Sequence, residues 1–135
     1  MNSCRFSCLL AACILLHSHT VANADQPKPL KVYILAGQSN MQGHAHISTL
    51  DSMADDPKTA PILKEMLGPD GKPRVCEKVW ISSIGCLGDA YSDLREQKGR
   101  LTAGFGPSGK KIGPEFTFGI TMEKLHDQPI LIIKT

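Results

Sequence analysis

The chain has 135 residues, with 15 Lys and Arg against 13 Asp and Glu, a formal net charge of +2, and a composition that is 41% hydrophobic but only 5% aromatic. A near-balanced charge without blocks of one sign gives no electrostatic footprint for nucleic acid. The ordinary apolar share argues against a disordered chain. With so few aromatics, a sugar-stacking surface would have to draw on Tyr33, Trp80, Tyr91 or a phenylalanine, and Trp80, between Val79 and Ile81, reads as core.

The first 24 residues read as a secretory signal peptide. Arg5 supplies the positive amino-terminal region, Cys8 to Leu16 the apolar run, and Ala22-Asn23-Ala24 the small residues before a cut after Ala24. The run is far shorter than the ~20 residues needed to span a bilayer, so no stable membrane anchor is expected. Leu10-Ala11-Ala12-Cys13 also matches a lipoprotein cleavage pattern, but too little apolar sequence precedes Cys13. The localisation implied is secreted or periplasmic.

The segment Val32-Tyr33-Ile34-Leu35-Ala36-Gly37-Gln38-Ser39-Asn40-Met41 carries most of the functional information. An apolar strand over Lys31–Ala36, of the kind covered on both faces in a parallel sheet, runs into a Gly-flanked serine. Ligands of open α/β sheets bind beyond the carboxyl ends of such strands, where Ser39 would lie. Gly37 is expected to take positive φ and so turn Ser39 outward. The bland alternative is an ordinary strand-to-loop turn, since Gly, Ser and Asn are common turn residues. Gln38 and Asn40 either orient substrate or make turn hydrogen bonds.

His44 and His46 follow closely. Residues a few positions along the same exit loop usually point away from the nucleophile, so neither reads as its base. A zinc site would need further ligands, and none is identifiable; solvated or rim-lining histidines are expected. A short helix over Ala60 to Leu67 puts Ile62, Leu63, Met66 and Leu67 on one side and closes at Gly68-Pro69, with a turn at Asp70-Gly71-Lys72-Pro73. A second strand spans Lys78–Ile84. Cys76 and Cys86, the two cysteines outside the leader, either pair in the oxidising compartment or are separate buried thiols.

Gly104 to Lys111, Gly-Phe-Gly-Pro-Ser-Gly-Lys-Lys, has the glycine and lysine spacing of a phosphate-binding loop. Its context fails: Lys111 stands where magnesium needs Ser or Thr, and Gln97 to Ala103 is no apolar strand. Gly99 to Gly113 is instead expected to be a mobile loop near the substrate crevice. A stronger helix starts at Pro114, with Glu115 complementing its dipole, an inward face of Phe116, Ile120 and Leu125, and an end before Pro129. His126, near its end, reads as a surface residue complementing the dipole. The strand Ile130–Lys134 completes half of a crossover unit, which argues for a parallel sheet.

Two blocks carry a family resemblance. Gly37-Gln38-Ser39-Asn40-Met41 resembles the first block of the SGNH-type hydrolases, in the carbohydrate acetylesterase branch that includes sialate O-acetylesterases. Ile112-Gly113-Pro114-Glu115, followed by Phe116, Phe118-Gly119 and the run Ile130 to Lys134, resembles that branch's Gly-Pro-Glu helix and following strand. The resemblance implies an α/β fold, a three-layer α/β/α sandwich with a parallel, flavodoxin-like sheet. It also implies hydrolysis of acetyl esters on sugars with Ser39 as nucleophile and no cofactor or metal. Gln38 and Asn40 would contact the acetylated carbohydrate, and the Ser39 amide would supply one oxyanion donor.

In that family a histidine oriented by an aspartate activates the serine, after a further block bearing a Gly-Glu pair. Those blocks do not occur here. A sheet of ~5 strands at about thirty residues per crossover unit also needs more than residues 25–135. The sequence thus reads as the amino-terminal part of a larger esterase domain. The competing expectation is a non-catalytic carbohydrate-binding or interaction domain that keeps the serine loop as architecture.

Overall fold

The structure, a computed structural model, describes residues 27–86 and 94–135. The leader, its cleavage site and Tyr91 lie outside the described residues. In chain order the elements are β1 (Lys31–Leu35), α1 (Ser39–Gln42), β2 (Ala45–His46), α2 (Thr49–Met53), α3 (Ala60–Met66), β3 (Val79–Cys86), β4 (Leu94–Arg100), β5 (Lys111–Ile112), α4 (Pro114–Leu125) and β6 (Ile130–Lys134). The chain is mixed α/β.

Four strands form one sheet in the order β1-β6-β3-β4, with β1, β6 and β3 parallel and β4 antiparallel to β3. β3 and β6 are joined through α4, the crossover expected of parallel neighbours. The Val- and Ile-rich sequences of β1 and β6 suit a pleated surface. Registry aligns Tyr33, Ile132 and Ile81 in one row and Leu35, Lys134 and Ser83 in the next. Both rows, together with Ile130 and Val79, face α4. Phe116 and Ile120 of α4 close over Val79, Ile81, Leu101, Ile130 and Ile132 to form the core. Each such side chain contributes about 1.5–3 kcal/mol on burial.

α4 begins where Pro114 presets φ and Glu115 lies in the first turn, and α3 likewise carries Pro near its start. Behind α4, the buried Glu123 carboxylate accepts from Arg74 Nη2 at 2.9 Å and from the Lys78 amide at 2.7 Å, which ties the approach to β3 onto the helix. Cys76 is a free thiol in the core beside it, so for this residue the separate-thiol alternative holds; the Cys86 side chain lies outside the described residues. Burial, and then the neighbouring Glu123 charge, push the Cys76 thiol up to about 12.

Several expectations are corrected. The outer face of the sheet, which carries Val32 and Ile34 of β1 and Trp80 and Ile84 of β3, is covered by no described residue: Val32 is 50% and Ile34 67% exposed, so among the described residues β1 is covered on one face alone and no second helical layer occurs. Trp80 shares that face, 38% exposed with the Arg100 guanidinium 5.6 Å from its ring centroid, and is not core. Leu125 ends α4 pointing outward at 66% exposure, and Ile62 is exposed while Leu63 and Met66 are buried. Part of the stretch expected to be a mobile loop is the edge strand β4, and Leu101, Phe105 and Ile112 are buried. No helix among the described residues is long and apolar enough to cross a membrane.

Candidate active site around Ser39

Ser39 begins α1 immediately beyond the carboxyl end of β1. The β1–β6 pairing continues past the strand: the Thr135 amide donates to Leu35 O at 3.0 Å and the Gly37 amide to Thr135 O at 3.1 Å. The chain then folds back. Gln38 O accepts from the amides of Met41 and Gln42, and Ser39 O from that of Gly43. The serine is exposed at the sheet's carboxyl edge. Gly37 is required for a reason other than the expected one. Its φ is not positive; instead a Cβ there would lie 2.9 Å from Met41 Cβ, so the fold-back itself excludes a side chain.

The residues after the serine are stitched to the glycine-rich segment. β2 pairs antiparallel with β5, setting His46 opposite Lys111, and the Ile47 amide donates to Lys110 O at 3.0 Å. Lys111 Nζ donates to His44 O at 2.9 Å. Residues Gly104 to Gly113 therefore wall one side of the Ser39 turn. Their internal bonds, Gly106 N–H to Lys111 O and Lys111 N–H to Ser108 O, make an ordered loop.

Beneath the turn lies a buried ion pair. Lys134, on the last row of β6, donates from Nζ to Glu115 Oε2 at 2.9 Å, to Gln42 O at 3.0 Å and to Phe105 O. Glu115 Oε1 accepts the Gly113 amide at 2.9 Å, and Ser83 Oγ donates to Phe105 O at 3.3 Å. Both charged side chains are removed from water. In sequence Lys134 reads as the end of an apolar strand, and Glu115 as a dipole complement within the Gly-Pro-Glu block. The signal was present: a period of two puts Lys134 on the same face as the buried Ile130 and Ile132, and a cation on that face needs a buried anion.

The predicted site residues fall as follows. Ser39, Gln38 and Asn40 are contiguous and exposed. Among the described residues the side chains of Gln38 and Asn40 make no hydrogen bond, so the turn-bonding alternative is not seen among them, and both residues are exposed. His44 and His46 are exposed on the stitched segment, and no described residue donates to or accepts from the Ser39 hydroxyl.

His126 is not a simple surface residue: it caps α4 with Nδ1 3.2 Å from Lys31 Nζ and Nε2 3.1 Å from Tyr33 Oη. Because the ammonium can only donate, Nδ1 accepts and Nε2–H donates to Tyr33. That cluster marks the amino end of β1, the opposite end from Ser39. Among the described residues no group of three His, Cys, Asp or Glu is arranged to hold a metal ion. The arrangement is thus an outward-facing hydroxyl on a rigidly backed turn at the carboxyl edge of a parallel strand pair. No protein-family model, curated protein or solved structure matches the chain.

Proposed function

We propose that the chain carries the nucleophile of a serine-dependent carbohydrate O-acetylesterase of the SGNH type. The observation that carries the reading is the position of Ser39: first residue of α1, beyond the carboxyl end of a parallel strand, exposed, with the fold-back held by Gly37 and Gly43. A nucleophile that must receive a substrate carbonyl and then water needs this presentation at the sheet edge, where α/β folds bind ligands.

In the proposed reaction the Ser39 hydroxyl attacks the acetyl carbonyl of an acetylated sugar. Its proton passes to a base, the sugar alcohol leaves, and water releases acetate from the acyl-enzyme. The Ser39 amide, at the first helical position, has no intrahelical acceptor, bonds to no described carbonyl, and would receive the developing oxyanion. Gln38 and Asn40 flank the attack site, exposed and with amides that no described residue engages. No described residue hydrogen-bonds the Ser39 hydroxyl and His126 is engaged at the far end of β1, so in this reading the base is supplied from outside the described residues. The finer fold in this reading is three-layered. Its second helical layer would cover Val32, Ile34, Trp80 and Ile84, an apolar face that water-exposed sheets do not normally present.

The test is hydrolysis of an acetylated sugar or nitrophenyl acetate by the native gene product and its Ser39→Ala variant. Turnover that disappears with the hydroxyl while the melting transition stays put supports the reading. Turnover retained in Ser39→Ala dismisses Ser39 as nucleophile.

A further inference from the structure

α1 is a four-residue helix with no buried residue and no side-chain cap. Burial of its own side chains therefore does little to fix where Ser39 stands. Besides the packing of Gly43 on Gly113 and the β2–β5 pairing that follows it, two hydrogen bonds hold the turn near its two ends, and both come from adjacent residues of one strand end. The Gly37 amide is held by Thr135 O, and Gln42 O is held by Lys134 Nζ at 3.0 Å.

We propose that Lys134 is a positioning residue for the Ser39 nucleophile: its buried ammonium clamps the carboxyl end of the serine turn, through Gln42 O, to the glycine-rich wall and to α4. An ammonium has three donors. Here they reach three separate segments, the serine turn at Gln42, the wall at Phe105 and the start of α4 at Glu115. Glu115 completes the clamp by accepting the amide of Gly113, the residue against which Gly43 packs.

A purely space-filling role at this position would be better met by an apolar side chain, as at Ile130 and Ile132 on the same face, since buried ion pairs are often matched or exceeded in stability by apolar replacements. A cation in that row instead provides directional bonds to two carbonyls that isoleucine cannot make. The kinetic half of the proposal rests on the esterase reading; the geometric half does not.

The experiment uses the native gene product and a double variant, Glu115→Gln with Lys134→Met, which removes both charges so that none is left buried alone. Hydrogen exchange is read at the amides of Gln42 and Gly43 and, for comparison, at β3 and β6; the rate of Ser39 modification by a fluorophosphonate is read in parallel. The clamp predicts at least a tenfold loss of protection at Gln42 and Gly43 with β3 and β6 within threefold of the parent, and at least tenfold slower labelling. Protection at α1 that is unchanged, or that falls only in step with the strands, overturns the proposal.

Should the double variant lack a cooperative melt, the parent protein decides. Its Gln42 and Gly43 amides must be at least tenfold better protected than Leu50 and Asp51 of the comparably short α2, and equal protection overturns the clamp. If the parent protein takes no label at all but α1 loosens selectively in the variant, the esterase reading falls while the clamp stands.

Discussion

Gly43 packs so closely on Gly113 that a Cβ built on Gly43 would lie 2.0 Å from the Gly113 Cα. Its φ of +79° adds a second barrier to any side chain. Gly43→Ala should therefore cost about 3 kcal/mol, combining left-handed strain with overpacking. Gly71→Ala shares the positive φ, at +73°, but meets nothing within 4 Å and should cost only about 1 kcal/mol. Urea melts of the two variants check the difference; equal losses would deny the close approach.

Cys76 should resist modification. Its thiol is fully buried and keeps its proton up to about 12, so iodoacetamide at pH 8 should alkylate it only after unfolding. The sign of the accompanying pH effect follows from linkage. The folded thiol loses its proton near 12 and the unfolded one near 9.0, so the stabilisation is complete below about pH 9 and drains away as pH rises toward 12. Thermal midpoints between those values should fall more steeply for the parent than for Cys76→Ala, and parallel slopes would contradict the burial.

Glu123→Ala should destabilise by about 2 kcal/mol. It strips the acceptor from the Lys78 amide, which is then left unpaired, whereas the Arg74 side chain is one-third exposed and can turn to water. Denaturant midpoints measure this. Arg74→Ala alone should cost distinctly less, because the Lys78 bond survives.

Ile34→Asp discriminates between an open and a covered outer sheet face. Under the three-layer reading the native gene product should lose about 3 kcal/mol or more, since an unpaired carboxylate would be buried beneath the second layer. A change within about 0.5 kcal/mol would mean that the face is open to water in the native protein.

Much of this architecture was legible because local and global signals agree. Ile130–Lys134 and Lys31–Leu35 are apolar runs with β-branched residues, and Pro114-Glu115 marks a helix start on two independent grounds. β4 was not legible. Leu-Arg-Glu-Gln-Lys-Gly-Arg has no apolar alternation because it is an edge strand, and edges are kept charged to block further pairing.

Trp80 departs from the core position its apolar neighbours suggest because Val79 and Ile81 face the opposite side of the pleat. The serine turn could be placed from sequence, but not its backing. Lys134, Gln42, Phe105 and Glu115 converge only through the β1–β6–β3 registry, and spacing along the chain carries no such distance.

The nucleophilic role of Ser39 is tested most directly by treating the native gene product with a fluorophosphonate and locating the adduct by peptide mass spectrometry. The account predicts a single adduct on the peptide containing Ser39, absent from the Ser39→Ala variant and slowed by an acetylated sugar. A sample that melts cooperatively yet leaves Ser39 unmodified would contradict it.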